Sequence, residues 1–83
     1  SREDFITIFL RVAEKRGVGG VEAALAHVLG ELYARHNLDY AAYHAVYLID
    51  QAIAACDYHG APRELRPEFL DEAWANLSVI DAA

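Results

Sequence analysis

Cys56 and His59 form the one thiol and imidazole pair that lies close together in the sequence, three residues apart in a segment with helical periodicity. A thiol beside an imidazole can serve as a nucleophile once it is deprotonated, and both groups bind zinc. The same periodicity places Cys56 beside Ile49 and Ile53, on the side of the helix that we expect to enter the core. A buried neutral thiol is inert, so we predict a structural role for Cys56 and slow labelling by thiol reagents in the folded protein.

A second set of reactive side chains, His44, Tyr47 and Asp50, recurs every three residues and would share one side of the same helix. An imidazole, a phenol and a carboxylate together make an acid and base set. One alternative function is therefore a small enzyme or ligand-binding domain whose pocket these three residues line. No pattern of pocket-forming residues accompanies them, and we expect the chain not to be an enzyme.

The side chains that a transition metal would use are four histidines and one cysteine, namely His27, His36, His44, His59 and Cys56. A structural zinc site usually takes four such ligands, and cytosolic sites favour pairs of cysteines. The spacing of Cys56 and His59 suits metal ligands on a helix, but no second pair completes them. We therefore expect neither a bound metal nor another cofactor.

Helices must position all of these residues, because apolar side chains recur every three to four positions in four segments with helix-ending residues between them. Ser1 can cap the first segment, and Gly17 can end it. Asn37 is expected to end the second helix, Asp39 to cap the third and Gly60 to end it. We predict an all-α fold, a small four-helix bundle with short turns and the third helix central. The predicted helices cover residues 2–16, 21–36, 40–58 and 67–80.

Length and charge bound the possible functions. The 83 residues allow a single domain over 1–83, and a hydrophobic content of 55% is too high for a disordered tail. No apolar run reaches the roughly 18 residues of a membrane span, and no secretion signal opens the chain, so we expect a cytoplasmic protein. The net charge of −6 has the wrong sign for phosphate backbones or anionic lipids, and we expect no direct binding to nucleic acid or membrane.

The charge is unevenly distributed along the chain. Residues 1–36 hold five acidic and five basic side chains, whereas residues 37–83 hold eight acidic and two basic ones. The C-terminal half could therefore steer a basic partner by long-range attraction. An acidic surface that simply keeps the protein soluble is the alternative explanation.

The third helix has two apolar sides. Its core side is predicted to hold the following residues: Ala41, Ala42, Ala45, Leu48, Ile49, Ala52, Ile53 and Cys56. Its opposite side is aromatic where a surface helix would be charged, and residues 39–58 contain no Lys or Arg. The residues that we predict to form a protein interface there are Tyr40, Tyr43, His44, Tyr47, Asp50, Gln51, Ala54 and Tyr58. Tyrosine is enriched at interface centres, but the same rings would also suit packing inside the monomer.

Gly30 lies on the second helix between other small residues, Ala23 and Ala34. An interior glycine costs about 1 kcal/mol relative to alanine, which favours a position where another helix crosses closely. A glycine that is merely exposed and tolerated is the alternative.

These features predict a non-enzymatic protein-binding module. A chain of this size has a thin stability margin, which small domains often repair by oligomerising, so we expect a dimer. Its partner would be another protein, itself, or both, and the module would inhibit, sequester or adapt that partner, such as a transcriptional regulator or an effector complex, by covering its interface. A structural subunit of a larger assembly is a further alternative. The preponderance of Arg over Lys favours a bacterial or phage source.

Overall fold

Four helices make up most of the computed structural model, which describes residues 1–36 and 38–82, apart from the side chains of residues 78 and 80–82. Helix α1 covers Arg2–Arg16, α3 covers Ala42–His59 and α4 covers Pro67–Ala82. Helix α2 covers residues 21–35 in three parts: Val21–His27, a π-helical segment over Val28–Leu32 and a last turn over Tyr33–Arg35. The predicted all-α four-helix bundle is confirmed, and the described residues form no β-strand.

Most helix ends follow the local signals in the sequence. The Ser1 hydroxyl accepts a hydrogen bond from the Asp4 amide at 3.2 Å and caps α1. Gly17 and Gly60 follow α1 and α3 in the left-handed conformation, with φ of 66° and 65°, which suits glycine because it has no Cβ. The predicted glycine stops are thus confirmed, whereas the predicted end of α2 at Asn37 lies outside the described residues.

The predicted start of α3 is wrong. The helix begins at Ala42, two residues later than expected, and its N-cap is the extended residue Ala41, which makes no side-chain cap hydrogen bond. Asp39 therefore does not cap the helix. Tyr40 instead remains outside the helix, with its ring against Tyr33 and Phe5 at centroid distances of 4.2 and 5.4 Å. Packing of this ring outweighs the weaker local preference for an Asp cap.

The π-helical segment in α2 changes which side chains enter the core. Val28 is buried, and so are the consecutive residues Leu32 and Tyr33. A regular α-helix turns successive side chains 100° apart, whereas the wider π turn inserts an extra residue and lets two neighbours point inward. Tyr33, which the apolar periodicity did not select, becomes part of the core for this reason.

Helix α3 lies between α1 and α4 and packs against both, as expected of the central helix. Helix α2 packs against α1 and α4 and closes the bundle. The largest fully buried side chains come from all four helices: Phe5, Phe9, Val28, Leu48, Ile49, Cys56, Leu70 and Leu77. The predicted core side of α3 is buried at Ala45, Leu48, Ile49, Ala52 and Cys56, but Ala42 is exposed and Ala41 and Ile53 are half-buried.

Two loops at one end of the bundle are hydrogen-bonded to each other. The Gly19 amide donates to the Arg63 carbonyl at 3.1 Å, and the Leu65 amide donates to the Gly19 carbonyl at 3.0 Å. The Leu65 side chain is buried beneath this junction. The junction holds the backbone of the α3–α4 loop in place, and with it Arg63.

Candidate protein-interaction surface

The outward side of α3 carries a continuous row of residues that we call the tyrosine face: Tyr43, Tyr47, Gln51, Ala54 and Tyr58. Their spacing of three or four residues places them on one side of the helix. Tyr43 is 54% exposed and Tyr58 is 86% exposed, and Gln51 and Ala54 between them are also exposed. The two exposed tyrosines are 15 residues apart, or roughly 22 Å along the helix at 1.5 Å per residue. Two large aromatic side chains therefore reach solvent at opposite ends of one face.

Tyr40 and Tyr47 are only half-buried and pack against the core. Tyr40 belongs to an aromatic cluster at the end of the bundle where α3 begins, in which Tyr33 also meets Phe5 and Trp74 at 5.2 and 4.7 Å between ring centroids. The four tyrosines predicted to form the interface thus differ in their surroundings. Tyr43 and Tyr58 are exposed at the surface, whereas Tyr40 and Tyr47 also pack against the core.

His44 is withdrawn from the predicted surface. Its side chain is 2% exposed, and its Nδ1 lies 2.5 Å from the hydroxyl of the buried Tyr33. The prediction that His44 belongs to an exposed interface is therefore wrong, because its position four residues before Leu48 puts it on the buried side of the helix. That spacing is the signal in the sequence that would have located it correctly.

Both acidic residues beside the tyrosine face are paired with an arginine from another part of the fold. Arg16 of α1 donates two hydrogen bonds to Asp50, from Nε at 2.9 Å and from Nη2 at 3.3 Å. Arg63 makes the same two-point contact with Asp57, at 3.0 and 2.8 Å. The hydrogen bond from Arg63 lowers the pKa of Asp57, and the hydrogen bond with Asp50 raises the pKa of Arg16. The aromatic rings therefore lie on a surface whose flanking charges are already compensated.

A groove of about 490 Å³ runs beside the C-terminal half of the tyrosine face, between α3 and α4. Its lining consists of Gln51, Ala54, Ala55, Tyr58, His59, Phe69, Glu72, Ala73 and Asn76. Three alanines keep the groove open, and the His59 ring stacks on Phe69 at its end, with centroids 5.6 Å apart and planes 7° apart. Three predicted interface residues, Gln51, Ala54 and Tyr58, thus line one concave surface. The α4 side of this groove was not predicted, since only tertiary packing brings it beside α3.

A second cleft, of about 470 Å³, lies between α2 and α4 and includes His27, Asp71 and Trp74. His27 Nε2 and Asp71 Oδ1 are 2.6 Å apart. The buried indole nitrogen of Trp74 has no hydrogen-bond acceptor among the residues that the structure describes. Sequence patterns did not point to this cleft, because its residues are contributed by helices far apart in the chain.

The side chains that could act as acid, base, nucleophile or metal ligand lie in separate environments. His44 is hydrogen-bonded inside the bundle, whereas Asp50 pairs with Arg16 at the surface. Cys56 is fully buried, its Sγ donating to the Glu64 carbonyl at 3.2 Å and accepting from Arg66 Nη1 at 3.1 Å. His59 is exposed and stacks on Phe69 instead. Within the described part of the chain, no group of three His, Cys, Asp or Glu side chains is placed to hold a metal ion.

None of the helices, over the residues described, is both long and apolar enough to cross a membrane. Fold and surface together define a small all-α domain with an exposed aromatic helix face. A family model described as a domain of unknown function, DUF8689, matches residues 1–76, and the chain belongs to this family. No curated protein and no solved structure matches the chain.

Proposed function

We propose that this domain is a non-enzymatic protein-binding module that acts by covering the interface of a partner protein with its tyrosine face. The partner is another protein whose activity the module inhibits, sequesters or adapts. In the absence of that partner, two copies pair through the same face as a dimer. The observation that carries the proposal is the exposure of Tyr43 and Tyr58 on one helix face.

Two physical features support an intermolecular use of this face. Tyrosine contributes large contact area with little conformational entropy to lose, and its hydroxyl can stay hydrated or find a partner. The charges of Asp50 and Asp57 are already compensated within the monomer, so covering the face leaves no unpaired carboxylate of α3 buried.

The test compares two double variants that each remove a pair of exposed large apolar side chains. Tyr43→Ala with Tyr58→Ala removes the exposed rings of the tyrosine face. Leu10→Ala with Val79→Ala is the matched control, because Leu10 and Val79 are 43% and 71% exposed but lie on α1 and α4. Complexes of each tagged chain are isolated from the native host and weighed intact by native mass spectrometry, and circular dichroism checks the helical content.

We expect wild-type protein and the control to form the same stoichiometric complex. The tyrosine double variant should keep its helices and lose the complex, each ring contributing about 2 kcal/mol to association. An unchanged complex in the tyrosine variant, or a wild-type chain recovered only as a monomer, contradicts the proposal. Tyr47→Ala is unsuitable for this test, because Tyr47 packs against the core and its loss would also lower stability.

A further inference from the structure

We infer that the groove between α3 and α4 receives an amphipathic helix of the partner that carries Lys or Arg beside its apolar side chains. This inference rests on the proposed function, since it names the chemistry that docks beside the tyrosine face. Its basis is the combination of a concave lining, in which alanines and aromatic rings lie beside polar side chains, with an acidic edge on α4.

The size of the groove fits a helix. Its α3 wall extends from Gln51 to Tyr58 and its α4 wall from Phe69 to Asn76, each eight residues long, or roughly 10 Å from the first Cα to the last. This length corresponds to two helical turns, which present three apolar side chains at positions i, i+4 and i+7. The alanines in the lining allow close approach of the incoming backbone, and Tyr58 on the edge can cover one side of it.

The charge of the groove selects a basic helix. Glu72 is the one Asp, Glu, Lys or Arg in the described lining. The Arg66 guanidinium lies 5.8 Å from the centroid of the Phe69 ring, but it donates hydrogen bonds to the Cys56 sulfur and the Pro62 carbonyl. Glu68 lies one turn before Glu72 on α4 and extends the acidic edge, and both glutamates are exposed. Neither makes an ion pair with a described residue, in contrast to Asp50 and Asp57. The edge thus keeps its negative charge for a partner, and a second copy of this acidic chain suits it less well.

The inference is tested with two synthetic helical peptides that share three leucines at i, i+4 and i+7. One peptide carries Lys at the flanking positions and the other carries Glu there. Each is titrated into ¹⁵N-labelled protein, and amide chemical shifts report where and how tightly it binds. We expect the Lys peptide to shift the amides of Ala54, Ala55 and Ala73, and to bind about tenfold more tightly than the Glu peptide at low salt. The difference in affinity between the two peptides should decrease as the salt concentration rises.

Charge reversal and filling of the groove complete the test. Glu72→Lys should reverse the order of the two peptides, whereas the control Glu14→Lys, the same change at an exposed position on α1, should leave it unchanged. Ala54→Trp, at an exposed position, should fill the groove and abolish binding of both peptides. Circular dichroism confirms that each variant is folded before titration.

Three results would overturn the inference: shifts confined to other surfaces, equal affinity for both peptides, or no shift with either peptide. Its failure is distinguishable from failure of the proposed function. Loss of the native complex in the tyrosine double variant, together with no peptide binding in the groove, rejects the groove and keeps the module. Peptide binding in the groove, together with an unchanged native complex in the tyrosine double variant, keeps the groove and rejects the proposed use of the tyrosine face.

Discussion

The Tyr33 hydroxyl and His44 Nδ1 lie 2.5 Å apart inside the bundle and join the end of α2 to the beginning of α3. Tyr33 is 7% exposed and His44 is 2% exposed, so water cannot replace this hydrogen bond without opening the structure. The pair holds the buried His44 side chain inside the bundle, and the tyrosine face on the other side of α3 remains as the candidate interface.

Tyr33→Phe should lower the free energy of unfolding by about 1–3 kcal/mol, because the substitution removes a hydrogen bond to a buried imidazole. Tyr47→Phe is the matched control, since the Tyr47 hydroxyl makes no hydrogen bond with a described residue, and its effect should stay within about 0.5 kcal/mol. Urea unfolding followed by circular dichroism measures both. Equal stabilities of the two variants would contradict the importance of the buried pair.

Cys56 should react slowly with a thiol reagent in native protein and rapidly in concentrated guanidinium chloride. Its side chain is fully buried, and its sulfur is hydrogen-bonded to the Glu64 carbonyl and the Arg66 guanidinium. Absorbance of the released chromophore gives both rates, with free cysteine as the reference. Labelling of the native protein as fast as that of free cysteine would contradict the burial of Cys56 on the core side of α3.

Gly30→Ala should raise the free energy of unfolding by up to about 1 kcal/mol, because alanine favours helix and a Cβ at this position meets no atom within 4 Å. The predicted close helix crossing at Gly30 does not occur within the monomer. Gly17→Ala serves as the contrasting variant. It should lower stability by about 1–2 kcal/mol, because the backbone there has φ of +66°. Thermal melts should therefore move in opposite directions, and destabilisation by both variants would contradict the open environment of Gly30.

Acid should weaken the ion pair between Asp57 and Arg63. Arg63 holds the pKa of Asp57 below its ordinary value of 3.8, so the carboxylate stabilises the folded state above that pH. This contribution is lost as the pH falls through the lower folded-state pKa. Asp57→Asn should therefore be less stable than wild type at neutral pH, and the difference should shrink in acid. Urea midpoints across the acidic range measure it, with Glu14→Gln as a control for an exposed carboxylate.

Local sequence signals were sufficient for the four helices and for much of the core. Ser1, Gly17 and Gly60 act through hydrogen bonds and backbone conformations within a few residues, which is why they could be predicted. The exposure of Tyr43 and Tyr58 also agrees with the helical period. These features require no knowledge of how the helices pack.

Tertiary packing decided the start of α3 and the composition of the candidate site. Tyr40 packs in an aromatic cluster and lies outside the helix. His44 is hydrogen-bonded to Tyr33, which follows the π-helical segment of α2. The partners Arg16 and Asp50 are 34 residues apart, and no local pattern relates them. The groove beside Tyr58 exists only because α4 packs against α3. Periodicity specifies which side of a helix is apolar, but contacts between helices depend on the packing of side chains that are distant in the chain, and these contacts determine which polar and aromatic residues stay exposed.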